Sequence, residues 1–173
     1  MKFMLTTVAS ILFATTSLKS QDAKLTADAS AAQSAFINTD PVMKSLFASS
    51  YGFVIFPSVG KGAIGIGGAA GNGVVYRGGA IIGSAKLKQL TVGLQLGAQK
   101  YREVIFFENA AALDRFKENG FEFSAQASAV AVTKGASANV KYREGVMVFT
   151  QEKGGLMYEA SIGGQKFKFI PKS

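Results

Sequence analysis

From Pro41 to Arg102 the chain carries no Asp or Glu over 62 residues, while Lys44, Lys61, Arg77, Lys86, Lys88, Lys100 and Arg102 give that span a charge of +7. Ten of the twenty glycines fall between Gly60 and Gly83. Glycine at that density cannot sustain a helix. The stretch must therefore be strand and turn, with small side chains that let backbones approach closely. A surface that is apolar, glycine-rich and purely cationic suits an anionic partner better than bond-making chemistry.

The missing residue types narrow the field further. There is no His, Cys or Trp. Thiol nucleophiles, histidine bases, Ser-His-Asp triads, disulfides and nearly all zinc sites are thereby excluded. With 173 residues the chain is long enough for one domain with a real core. Met1 to Ser20 has Lys2 as a short basic region, an apolar run from Phe3 to Ala14, and small polar residues after it. That is the shape of a secretory signal and too short for a spanning helix. We expect residues 1–20 to be removed and 21–173 to form a single domain. Lys2 and Lys19 would leave with the signal, so +8 becomes +6.

Along the chain, Leu25, Ala29, Ala32 and Phe36 mark one face of a helix over Lys24 to Ile37. Asp40 fits an N-cap with Pro41 at the first helical position, and Val42, Met43, Leu46 and Phe47 give the next helix a buried side. Tyr51 to Phe56 reads as a buried strand closed by Pro57. Ala63 to Gly67 and Val74 to Arg77 read as short strands, with turns at Gly71-Asn72-Gly73 and Gly78-Gly79 and a returning strand at Ala80 to Ala85. Leu90 to Ala98 has the clearest period of two, and Tyr101 to Phe107 is an aromatic strand. A helix near 110–119 follows, with Leu113 and Phe116 inward and Gly120 as its C-terminal cap. Glu122 to Val132, Val146 to Thr150, Leu156 to Ile162 and Gln165 to Ile170 all read as strand. The fold class is α+β: N-terminal helices, then a strongly curved or partly closed, barrel-like and mostly antiparallel sheet.

Each motif has a competing explanation. Gly60-Lys61-Gly62-Ala63-Ile64-Gly65 matches G-x-G-x-x-G, yet no helix can start there and no acid lies about 20 residues on. Gly67 and Gly71 have glycine-zipper spacing, but Asn72 and Arg77 interrupt the stretch. The acids form no paired signature and are expected to face solvent, which argues against a carboxylate-pair hydrolase. Lys166, Lys168 and Lys172 beside Phe167 and Phe169 read as a second cationic anchor or as an edge strand blunted by lysine. Nucleic acid would suit the same charges, but an exported chain rarely meets it.

The runs SYGFVIFPSVGKGAIGIGGAAGNGVVYR and LTVGLQLGAQKYREVIFFEN, with the later FEFSAQASAVAVTKGASANVKYREGVMVFT and KGGLMYEASIGGQKF, resemble the SYLF domain family of lipid-binding proteins. The likeness extends from about Ala31 to Phe169. It implies one domain with a helical N-terminal part and a β-rich body. Eukaryotic members bind phosphoinositide-rich membranes, a yeast member also binds actin, and bacterial members are exported. In eukaryotic members an N-terminal amphipathic segment and basic residues contribute to lipid contact. The corresponding positions are the Lys24 to Lys44 helices and Lys61. Many members carry a Trp after the glycine-rich hairpin; Gly79 to Leu90 has none.

The expected function is an exported, non-enzymatic lipid-binding module, periplasmic or envelope-associated. Lys61, Arg77, Lys86 and Lys88 would touch anionic phospholipid headgroups, with no cofactor, no metal and no nucleic acid. Actin binding is not expected of an exported chain. The alternative is a cell-envelope structural protein that meets an acidic glycan or a protein partner.

Overall fold

The computed structural model describes residues 6–61, 68–90, 100–118, 120–124, 127–153 and 159–173. Two helices come first, α1 (Thr6–Thr39) and α2 (Met43–Ser49). Four strands follow, β1 (Gly52–Lys61), β2 (Gly68–Arg77), β3 (Ala80–Leu90) and β4 (Lys100–Phe107). After α3 (Ala110–Lys117) come β5 (Ser128–Ala131), β6 (Val146–Glu152), β7 (Glu159–Ser161) and β8 (Gln165–Pro171). The strands form one sheet in the order β7-β5-β6-β4-β1-β2-β3-β8. Among the described residues only the β5–β6 pairing is parallel. The α+β class and the mostly antiparallel sheet are as expected.

The sheet curves without closing into a barrel, and β7 and β8 are its edges. Each face has its own core. On one face α1 and α2 set Ala29, Ala32, Phe36 and Met43 against Phe53, Ile55, Val74, Val104, Phe106 and Phe149. On the other, concave face, Val54, Phe56, Leu87, Ile105, Phe107 and Phe167 pack with Leu113 and Phe116 of α3. Burial on both faces explains why β1 and β4 read as continuous apolar runs rather than alternating ones.

Local chemistry explains several departures. Pro57 does not close β1. The strand continues to Lys61, and its register with both neighbours shifts around Pro57. A residue without an N–H fits at such a bulge. Val54 and Phe56 face the concave core before it and Val59 after it, so the bulge moves the inward set from even to odd numbers. Gly71-Asn72-Gly73 is not a turn but the middle of β2. A Cβ on Gly73 would sit 2.7 Å from the Phe56 ring and 2.8 Å from the Ile55 carbonyl oxygen. The glycine is there to let strands and a phenylalanine approach. The true turn is Gly78-Gly79, with φ of +56° and +80°, joining Arg77 to Ala80. Two left-handed residues in a two-residue loop match the right-handed twist of the flanking strands.

Asp40 does not cap α2, whose N-cap is Val42 with no side-chain bond. Its carboxylate accepts from the Val42 amide at 3.2 Å and, across 97 residues, from the Ser137 amide and hydroxyl at 2.8 and 2.6 Å. Val42 is exposed, whereas Met43 is buried and Leu46 and Phe47 are half-buried. Asn109 is the real N-cap of α3, accepting from the Ala112 amide. That helix ends at Glu118 rather than at Gly120, whose φ is +99°. Within Glu122 to Val132, Ser128–Ala131 is strand and Glu122 makes an isolated bridge to Lys166, while 125–126 lie outside the described residues. The expected strands over Ala63 to Gly67 and most of Leu90 to Ala98 lie outside the described residues, as does 154–158 of the Leu156 to Ile162 strand. Residues 6–20 of the stretch read as a secretory signal and the helix read at Lys24 to Ile37 are continuous in α1. Among the described residues no helix is long and apolar enough to cross a membrane.

Candidate functional site

α1 covers the outer face of β6, β4, β1 and β2, and the outer face of β3 and β8 lies beyond that core. β3 alternates: Ala85, Leu87 and Gln89 are buried, while Lys86, Lys88 and Leu90 are exposed. β8 alternates in step, with Gln165 and Phe167 buried and Lys166 and Lys168 exposed. The antiparallel register then sets Lys86 opposite Lys168 and Lys88 opposite Lys166. Residues directly opposite are ~5 Å apart and successive outward residues ~7 Å apart. Four ammonium groups therefore stand in a compact two-by-two array. Leu90, 74 % exposed, ends its β3 side, and Ile170, 37 % exposed, extends its β8 side at the opposite end. One carboxylate reaches the array: Glu122, 3.4 Å from Lys166 Nζ, an exposed pair.

The structure thus joins Lys86 and Lys88 to the C-terminal Lys166 and Lys168, two groups of cations that the sequence presents 80 residues apart. It does not bring Arg77 to them. Arg77 is exposed at the β2–β3 hairpin, at the opposite end of the ladder from Lys88. Lys61 ends β1 across from Ala69. The remaining cations of the acid-free span are dispersed: Lys44 is on α2, and Lys100 and Arg102 are on β4. There a second cluster forms. Lys153 donates its amide to the Lys100 carbonyl, and Arg102 Nη1 donates to Gln151 Oε1 at 3.1 Å. Partial burial, then the charge of Arg102 and those of Lys100 and Lys24, pull the Lys153 ammonium below its ordinary value, with Asp28 opposing.

On the concave face directly behind the lysine array lies a polar group that sequence reasoning missed. Glu103 is fully buried, against the expectation that the acids face solvent. Its Oε2 accepts from Gln165 Nε2 at 2.9 Å. The Gln165 amide also lies 3.4 Å from Gln89 Oε1 and 3.4 Å from the Tyr101 hydroxyl. Gln89 Nε2 donates to the carbonyls of Ser161 and Gly163. Among the described residues Glu103 Oε1 and Gln165 Oε1 have no hydrogen-bond partner. Burial pushes the Glu103 carboxyl up to about 8, the Gln165 hydrogen bond opposing. Burial first, and then the neighbouring Glu103, push the Tyr101 hydroxyl well above its ordinary value. The available signal was period two on β4: Tyr101, Ile105 and Phe107 share a face, and Glu103 stands between them.

Asp40 is the other buried acid. Burial opposes its ionisation, but the Ser137 hydroxyl and amide and the Val42 and Gly135 amides outweigh it and hold the carboxyl below its ordinary value. It belongs to the α1–α2 side and Glu103 to the concave side, so the two do not form a catalytic pair.

The outer face of the curved sheet is thus covered by helix over β6, β4, β1 and β2 and presents exposed lysines over β3 and β8. Residues 88–169, from the end of β3 to β8, match the Ysc84 family, described as Las17-binding protein actin regulator. That match agrees with the likeness to the SYLF family seen in the motifs. The chain is also 29% identical over 140 residues to Beta cell expansion factor A of Aeromonas veronii, across 75% of this chain and 50% of that protein. The chain spans about half the length of that curated relative.

Proposed function

We propose that this chain is an exported lipid-binding module that docks on membranes bearing anionic headgroups through the outer face of β3 and β8. The observation that carries this reading is the pair of directly opposed Lys–Lys partners, Lys86 with Lys168 and Lys88 with Lys166. Like charges placed opposite each other cost stability. A negatively charged partner offsets that cost. Each lysine near an anionic bilayer contributes about 1 kcal/mol, and Leu90 and Ile170 supply apolar contacts along the same face. Arg77 lies too far along the ladder to share one headgroup with the array. The basic-then-apolar composition of residues 1–20 supports export, and the likeness to the SYLF family supports lipid as the partner class.

Co-sedimentation with vesicles of phosphatidylglycerol and phosphatidylcholine, against phosphatidylcholine alone, tests this. Binding should need the anionic lipid and weaken with salt. The double substitution Lys88→Gln and Lys166→Gln should weaken it about 25-fold, about fivefold per charge. Unchanged binding by the double variant would overturn the site. The family's description as Las17-binding favours a second reading, a protein contact through the same face. In that case neither vesicle binds, while the lysine variants lose the protein partner.

A further inference from the structure

Half of the lysine array rides on β8, an edge strand held to the sheet by one ladder, with β3. The 121–123 segment adds hydrogen bonds along the other edge of β8. What fixes β8 therefore fixes the array. From inside, that is Phe167 and Gln165. Four ladder steps separate β4 from β8, which in a flat sheet is ~19 Å. Gln165 Nε2 nevertheless lies 2.9 Å from Glu103 Oε2. The hydrogen bond spans the curl of the sheet and ties its edge to its middle.

Glu103 is poorly equipped to be charged there. It has one donor, and its second oxygen has none. The strand neighbours beside it are Phe56 on β1 and Thr150 on β6. β3 and β8 present only the neutral Gln89 and Gln165, besides apolar side chains. Tyr101, on its own strand, is the titratable group in direct reach among the described residues. Glu152 of β6 stands opposite Tyr101 and is half-buried. No described cation faces the carboxyl, because Lys86, Lys88, Lys166 and Lys168 all point outward. An isolated carboxylate in such surroundings is costly, and the neutral acid far less so.

We propose that Glu103 and Gln165 form a proton-dependent clasp that holds β8, and with it the lysine array, in register: closed while the Glu103 carboxyl keeps its proton, loosened when it ionises. The sign follows from linkage. In the closed form burial raises Glu103 to about 8, while in an opened, hydrated form it returns to its ordinary 4.5. The closed form thus keeps a proton that the open form releases between those values. The clasp is tightest below 4.5, weakens as pH rises through the window, and loses nothing further above about 8. The effect on membrane binding rests on the lipid reading above; the clasp itself does not.

Hydrogen exchange and thermal melting of the full chain at about pH 5.5 and about pH 8.5 test it. Protection factors of β8 amides should fall about tenfold or more at the higher pH, and Tm by about 5 °C or more. Glu103→Gln should flatten both. Should that variant not fold, Gln165→Leu serves: losing the hydrogen bond that favours ionisation should move the Tm loss to higher pH. Binding to phosphatidylglycerol vesicles should weaken at the higher pH in the wild type and not in Glu103→Gln. Equal β8 protection and Tm at both pH values, or a wild-type loss retained in Glu103→Gln, overturns the clasp. A pH-dependent β8 without vesicle binding at either pH upholds the clasp and overturns the lipid reading.

Discussion

Asp40 and Glu103 show how far one residue type can be carried apart by its surroundings. Both are fully buried. Asp40 accepts three hydrogen bonds from Val42 and Ser137 and is held ionised. Glu103 accepts one and is held neutral. Asp40→Ala should cost about 2–3 kcal/mol in urea unfolding, since it strips partners from the Ser137 and Val42 donors. The pH effect of Asp40 is opposite to that of Glu103: its stabilisation is present above the ordinary 3.8 and is lost as pH falls through its lowered native value. Acid melts of Asp40→Asn should lack that loss. Neither burial was visible in the chain, because Asp40 reads as a cap beside Pro41 and Glu103 as one acid among eleven. The partners that decide the matter, Ser137 and Gln165, are 97 and 62 residues away.

At the level of elements, patterns carried by a strand's own residues were legible. The helical face of Leu25, Ala29, Ala32 and Phe36, the strand over Gln165 to Ile170, and the Gly78-Gly79 turn all stand as expected. Elements shaped by a neighbour were not. Gly71-Asn72-Gly73 has turn composition, yet it is strand because Phe56 and the β1 backbone occupy the space a Cβ would need. Gly73→Val should therefore cost about 1–3 kcal/mol by overpacking, read as a lower urea midpoint with unchanged slope. A glycine whose only role was to turn the chain would show no such contact.

For the molecule as a whole, curvature is the decisive quantity. It brings the Phe167 ring against Phe56, Phe116, Phe121 and Phe123, from a strand, a helix and a connecting segment. Phe167→Ala should cost about 3–5 kcal/mol and, because Phe167 sits between Lys166 and Lys168, should weaken vesicle binding along with stability. The sequence alone determined that the chain is α+β, that it lacks thiol and imidazole chemistry, and that lysines and phenylalanines alternate along β8. Those are consequences of composition and of a period of two, which each segment carries in itself. The tertiary structure alone decided that the lysines of β3 and β8 share a face and that a buried carboxyl stands behind them. Pairing register and sheet curl arise from packing between segments far apart in the chain, and no single stretch encodes them.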